Sequence, residues 1–152
     1  MQEGDNLIQR IPVSPGVTQN QNTGDFTHKG VEAKLVVRPL KNLTLKGGIT
    51  ILNLGKETAT VPLNTYDFSG EYTLGDVSMG LSGRYATRLF GSNNKQQRLP
   101  DYLVIDTKLS YQLWKGLRAF VEVDNITDEN YQEIPGFPQP GVAAFAGLSY
   151  KF

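Results

Sequence analysis

The sequence predicts an all-β chain, an antiparallel transmembrane β-barrel of eight up-and-down strands. Three observations carry this. Apolar and polar residues alternate with period two in stretch after stretch, whereas helical spacing is sustained nowhere. Short turns at Pro39-Leu40-Lys41-Asn42, Gly75-Asp76 and Trp114-Lys115-Gly116 alternate with longer polar segments at 12–24, 53–63, 91–100 and 127–141. Barrels of the outer-membrane type show this asymmetry, with short periplasmic turns and long outer loops. Finally, Leu148, Tyr150 and Phe152 are apolar at alternate positions up to the C-terminus.

In chain order, strands are expected at 5–11, 25–38, 43–52, 64–74, 77–90, 101–113, 117–126 and 142–152. Most reach the ~9–11 residues that a tilted strand needs to cross a bilayer. The first, with Leu7, Ile8, Gln9, Arg10 and Ile11, does not declare its faces. The second sets Val31, Ala33, Leu35 and Val37 against Glu32, Lys34 and Arg38, and the third sets Leu43, Leu45, Gly47, Ile49 and Ile51 against Lys46. The fourth opposes Tyr66, Phe68, Gly70, Tyr72 and Leu74 to Asp67, Ser69, Glu71 and Thr73; the fifth opposes Val77, Met79, Leu81, Gly83 and Tyr85 to Ser78, Ser82, Arg84 and Arg88. In the sixth, Leu103, Ile105, Leu109, Tyr111 and Leu113 face away from Asp106, Lys108, Ser110 and Gln112. In the seventh, Leu117, Ala119, Val121 and Val123 face away from Arg118, Phe120, Glu122 and Asp124. The segregation of short turns from long loops then places both termini on the periplasmic side.

The apolar face fits lipid better than a soluble core, because it mixes Ala and Gly with branched residues and carries aromatics near strand ends. Tyr66, Tyr72, Tyr85, Phe90, Tyr102, Tyr111, Trp114, Tyr150 and Phe152 fall there, and amphipathic rings prefer the headgroup boundary. The tyrosines among these, with Trp114, are the expected girdle. On the opposite face Glu32, Lys34, Arg38, Asp67, Glu71, Arg84, Arg88, Asp106, Lys108, Arg118, Glu122 and Asp124 form the expected lumen charge network. An eight-stranded barrel encloses only enough space for side chains, so these charges have to pair. A closed, non-conducting barrel is the expectation.

Composition removes other classes of function. A length of 152 residues suits a single domain, taken as 1–152. Lys plus Arg and Asp plus Glu both number 15, so no long-range field draws nucleic acid. There is no cysteine, hence no disulfide or thiolate metal site. Met1-Gln2-Glu3-Gly4-Asp5 does not read as a secretory signal.

Chemistry-bearing residues are sparse. His28 is the sole histidine, with Asp25, Thr27 and Ser92 as available partners, but no spacing makes a nucleophile and base converge. Asp124, Asp128 and Glu129 do not follow a calcium-loop pattern and read as a solvated turn. Glycines 47, 48, 70, 80 and 83 suit curved barrel strands, and Pro135-Gly136-Phe137-Pro138-Gln139-Pro140-Gly141 reads as a stiff outer turn. No catalytic residue, cofactor or metal ligand is assigned.

The stretches NTGDFTHKGVEAKL, LPDYLVIDTKLSYQL, VDNITDENYQEI and the final AGLSYKF resemble the C-terminal end of TonB-dependent outer-membrane receptors. Gly30-Val31-Glu32 is similar to the step that opens a strand after a long loop in that family. Asn125-Ile126-Thr127-Asp128-Glu129-Asn130-Tyr131 is similar to the pattern that closes its penultimate strand. The resemblance implies the last strands of a barrel of about 22 strands with a plugged lumen, although no plug is evident here. It implies that Leu148, Tyr150 and Phe152 are read by the barrel-assembly machinery. The parent would bind TonB and take up a ferric siderophore or a vitamin; this chain is expected to contact outer-membrane lipid and not to transport alone. A small structural or adhesion-type barrel is the alternative reading, with a lipid-modifying barrel enzyme behind it.

Overall fold

The computed structural model describes residues 2–4, 8–22, 26–55, 59–93 and 95–152. All regular structure among them is strand: β1 (Gln2–Gly4), β2 (Ile8–Ser14), β3 (Val17–Asn22), β4 (Phe26–Leu40), β5 (Leu43–Asn53), β6 (Asn64–Leu74), β7 (Val77–Thr87), β8 (Tyr102–Trp114), β9 (Leu117–Asp124), β10 (Gln132–Ile134), β11 (Phe137–Pro138) and β12 (Ala143–Tyr150). Eight form one antiparallel sheet in the order β1-β4-β5-β6-β7-β8-β9-β12. From β4 onward it is a meander, interrupted only where the β10-β11 hairpin intervenes before β12.

The expected strand at 64–74 matches β6 residue for residue. Others shift by a few positions at their ends, and the first changes identity. Residues 5–7 of the expected strand 5–11 lie outside the described residues, while Ile8–Ser14 pairs with Val17–Asn22 as a separate hairpin. That hairpin takes up residues 12–22 of the segment 12–24 expected to be loop, because Pro15-Gly16, with Gly16 at φ +77°, provides a tight turn between extended residues. The sheet's first strand is instead Gln2–Gly4, paired with Phe26–His28.

Register keeps the alternation in phase across the wall. Ile49 lies opposite Tyr66, which lies opposite Tyr85 and then Leu103. Leu43, Tyr72, Met79, Leu109, Val121 and Ala146 continue one another lower down. A one-residue slip in any strand would turn its apolar set to the other side. Side chains of this face stay uncovered, Leu35 at 65% and Leu148 at 68%. Strands such as β6, with 11 residues, run about 36 Å, and a ~45° tilt brings that near the ~25 Å apolar band of an outer-membrane barrel. Gly83 makes room on the apolar face: a Cβ there would overlap the ring of Phe68, which covers it from β6.

Among the described residues the sheet is open, with β1 and β12 as its edges. Eight-strand closure, expected from the strand count, is not what the fold has. Closing would require β12 to bond along the first strand, and β1 offers only Gln2–Gly4, already paired with β4.

Candidate functional site: a charged concave wall and its upper rim

Side chains opposite the apolar face line an open groove of about 800 Å³, whose walls include Glu32, Lys34, Lys46, Asp67, Arg84 and Asp106. Register brings opposite charges into direct apposition at two places. Asp67 faces Arg84 across β6 and β7, with Nε donating to Oδ1 at 2.9 Å. Lys108 faces Glu122 across β8 and β9, with Nζ donating to Oε2 at 2.6 Å, and the same ammonium lies 4.6 Å from the Phe120 ring centre. Lys34 pairs with Glu32 two residues earlier on its own strand, at 2.7 Å.

The charge network expected from sequence is thus gathered on one face but only partly paired. Arg38, Glu71, Arg118 and Asp124 form no ion pair with a described residue. Asp106 serves as a hydrogen-bond acceptor for the Asn125 amide N–H at 2.9 Å. Arg88 does not belong to the network. β7 ends at Thr87, and Arg88 takes φ +58° while its N–H donates to Asp101 Oδ1 at 3.1 Å. It begins a loop rather than facing the groove from a strand.

Tyr102 is the second correction. It was expected in the girdle, but its parity in β8 is that of Asp106 and Lys108, and it is 2% exposed. It belongs to a small core with Ala86, Leu89 and Leu99, on which Val104 and Tyr131 pack. The Tyr131 ring stacks on it with centroids 4.2 Å apart, and the Tyr102 hydroxyl donates to Glu133 Oε1 at 2.6 Å. Burial first, then the charges of Glu133 and Asp106, push the Tyr131 phenol above its ordinary value. The other expected girdle residues do lie on the apolar face, in two tiers. Tyr66 and Tyr85 stack 6.0 Å apart toward the loop end, while Tyr72, Tyr111, Trp114 and Tyr150 lie toward the tight turns. At the C-terminus Tyr150 and Phe152 rings approach to 6.2 Å, and the Lys151 N–H donates to Gly116 O.

The motif at the end of β9 organises the upper rim. Asn125 is 4% exposed with φ +49°, a left-handed conformation that Asn tolerates better than most residues. Its Nδ2 donates to Glu129 O at 3.0 Å and Pro140 O at 3.2 Å, and its Oδ1 accepts the Glu129 N–H at 2.8 Å. Asp128, at φ +52°, accepts the Val142 N–H through Oδ1 at 3.0 Å. Gly141 is required there, since a Cβ would meet that oxygen at 2.5 Å. Asp128 and Glu129 are therefore part of a brace rather than a merely solvated turn. Sequence reasoning missed Asn125, Tyr131 and Glu133 as site residues; the usable signal was an Asn directly after a strand with Asp three residues on, a turn-forming pair. The expected stiff segment 135–141 includes the β10-β11 turn, where Gln132 Oε1 accepts the Gly136 N–H at 2.8 Å. His28 stands on β4 within the pairing with β1; Asp25 lies outside the described residues.

An antiparallel meander with one apolar and one charged face, tight turns at one end and braced loops at the other, defines a segment of a membrane β-barrel wall. Residues 2–126 match the family model described as TonB dependent receptor-like, beta-barrel, and the chain belongs to that family. Solved structures with the same fold include the siderophore receptor PiuA from Acinetobacter baumannii, at TM-score 0.77 and 17% identity, covering 99% of this chain and 25% of that one. The copper transporter OprC matches at 0.78 and 19% identity, covering 99% and 27%. The ferripyoverdine receptor of the outer membrane of Pseudomonas aeruginosa, bound to ferripyoverdine, matches at 0.73 and 18% identity, covering 99% and 24%. The chain spans about a quarter of each. No curated protein sequence matches it.

Proposed function

We propose that the chain is a wall segment of an outer-membrane receptor that takes up a ferric siderophore or a vitamin with energy delivered through TonB. The observation that carries this is the pairing of an uncovered apolar face with a charged, concave one on a single in-register sheet. Lipid satisfies the first, and a filled or gated lumen satisfies the second. The ligand class is suggested by the relatives, among them a siderophore receptor and a receptor bound to ferripyoverdine.

In this reading both termini are periplasmic, the aromatic tiers mark the headgroup boundaries, and Leu148, Tyr150 and Phe152 are read by the barrel-assembly machinery. On its own the segment does not transport. Eight strands that stay open leave unpaired backbone at two edges, which hydrocarbon does not tolerate, so a free-standing structural or adhesion barrel is the weaker reading.

The test is expression of the chain with an export signal, alone and within the polypeptide that carries it. Outer-membrane fractionation and a folded band that shifts on boiling are expected for the complete polypeptide. Uptake of radiolabelled ferric siderophores and cobalamin, dependent on TonB, identifies the cargo. A chain that remains monomeric in water without detergent overturns the membrane reading.

A further inference from the structure

We propose that the connection between β9 and β12 is a pre-set wall of the ligand entrance rather than a moving cover, and that Asn125 is the residue that positions it. The inference deepens the uptake reading and rests on it.

A moving cover has few buried contacts and readily broken hydrogen bonds. This connection has the reverse. Its two ends are tied by the Asn125 carboxamide, which reaches Glu129 on one side and Pro140 on the other, and by the Asp128 bond to Val142. Its middle is held to the sheet through the Tyr131 ring on Tyr102 and the Glu133 carboxylate on the Tyr102 hydroxyl. Its turn leans on a neighbouring loop so closely that a Cβ at Gly91 would overlap the Pro135 ring.

The left-handed Asn125 and Asp128 turn the chain over the concave side, where Tyr131 and Glu133 join the lining of the groove. The carboxamide is specifically required. An aspartate accepts hydrogen bonds but has no N–H to donate, so Asn125→Asp keeps size and turn preference while losing both bonds from Nδ2.

The chain has no cysteine, so a single introduced cysteine is the only thiol this segment offers to a spin label. A nitroxide at Phe137→Cys reads the loop and one at Lys115→Cys reads the opposite end, both in native outer-membrane vesicles with no ligand added. The parent loop is expected to give an immobilised spectrum. Asn125→Asp is expected to lose most of that component at Phe137→Cys and none at Lys115→Cys, and Tyr102→Phe, which removes one hydroxyl, to lose part of it. A mobile parent loop, or immobilisation unchanged in both variants, overturns the proposal. A disulfide between Gly91→Cys and Pro135→Cys separates it from the uptake reading: uptake that persists in the crosslinked receptor supports a fixed wall, and uptake abolished until reduction overturns it. An immobilised loop in a protein without uptake of any tested cargo removes only the entrance role, through failure of the uptake reading.

Discussion

The wall and the rim of this molecule solve the burial problem in opposite ways. Along the wall, large apolar residues such as Leu35, Leu81, Leu109 and Leu148 are left uncovered by the protein. The buried apolar residues, Leu54, Leu63, Ala86, Leu89, Leu99 and Tyr102, gather where strands give way to loops. The wall takes its order from backbone ladders and relies on lipid for its apolar face. The rim stands beyond lipid and has to make its own core, with ring stacking and polar braces in place of a bilayer. The lesson is that one chain here answers to two solvents, and that a substitution's cost depends on which solvent its side chain meets.

The sharpest way to break that contrast is to empty the rim core. Leu89→Ala, at a fully buried site, is expected to cost about 2–5 kcal/mol of rim stability. Hydrogen exchange of the amides around Leu99 and Tyr102 should rise while that of mid-wall amides does not. On the wall, Leu81→Arg is expected to cost about 2–4 kcal/mol near the bilayer midplane, visible as a lower urea midpoint followed by fluorescence of Trp114, the only tryptophan. Equal loss for Leu81→Arg and Leu81→Ala would show that lipid does not cover that face.

Smaller effects sharpen the picture. The Asp67 and Arg84 side chains are 47% and 59% exposed, so Arg84→Met in the groove is expected to change stability by under about 1 kcal/mol. A larger loss in the same urea assay would mean that the pair is desolvated by something seated in the groove. The least effect is alkaline. The Tyr131 phenol lies above its ordinary value of 10.0, so the unfolded chain releases this proton first. Its contribution to stability is complete below pH 10.0 and declines as pH rises through the folded value. Tyr131→Phe should flatten the high-pH limb of a stability profile measured through the rim amides.

Much of the wall was legible in sequence because its cause is local. Period-two alternation from Val31 to Val37 or from Tyr66 to Leu74 declares faces without any knowledge of partners, and Asp67 with Arg84 already carried the parity that register later made a contact. Tyr102 was misread for a physical reason: nearness to a strand end says aromatic belt, but parity says inward, and here parity decided. Arg88 was misread because the strand stopped one residue before it, at a left-handed turn that composition does not announce. The rim was opaque because its contacts join residues far apart in sequence, such as Tyr102 to Glu133 and Gly91 to Pro135. The β2-β3 hairpin was missed because Gln and Asn in Val17–Asn22 look like loop, and strand order there comes from a Pro-Gly turn.

The neck at Asn125 has a consequence for the order of assembly. β12, like β1 at the other edge, is separated from its sheet partner by a connection carrying its own strands. Pairing across such a gap has an entropic cost that grows slowly with loop length, about 0.6 kcal/mol for each doubling. By joining Glu129 and Pro140 through a single carboxamide, Asn125 holds the two sides of the gap together beside the Ala143–Asp124 pair. A closed neck leaves the loop end of this last ladder, at Ala143 and Asp124, as the end with the least chain entropy still to lose. A lesion in the neck should therefore reveal itself as a slow last step in folding even where the finished wall is unchanged.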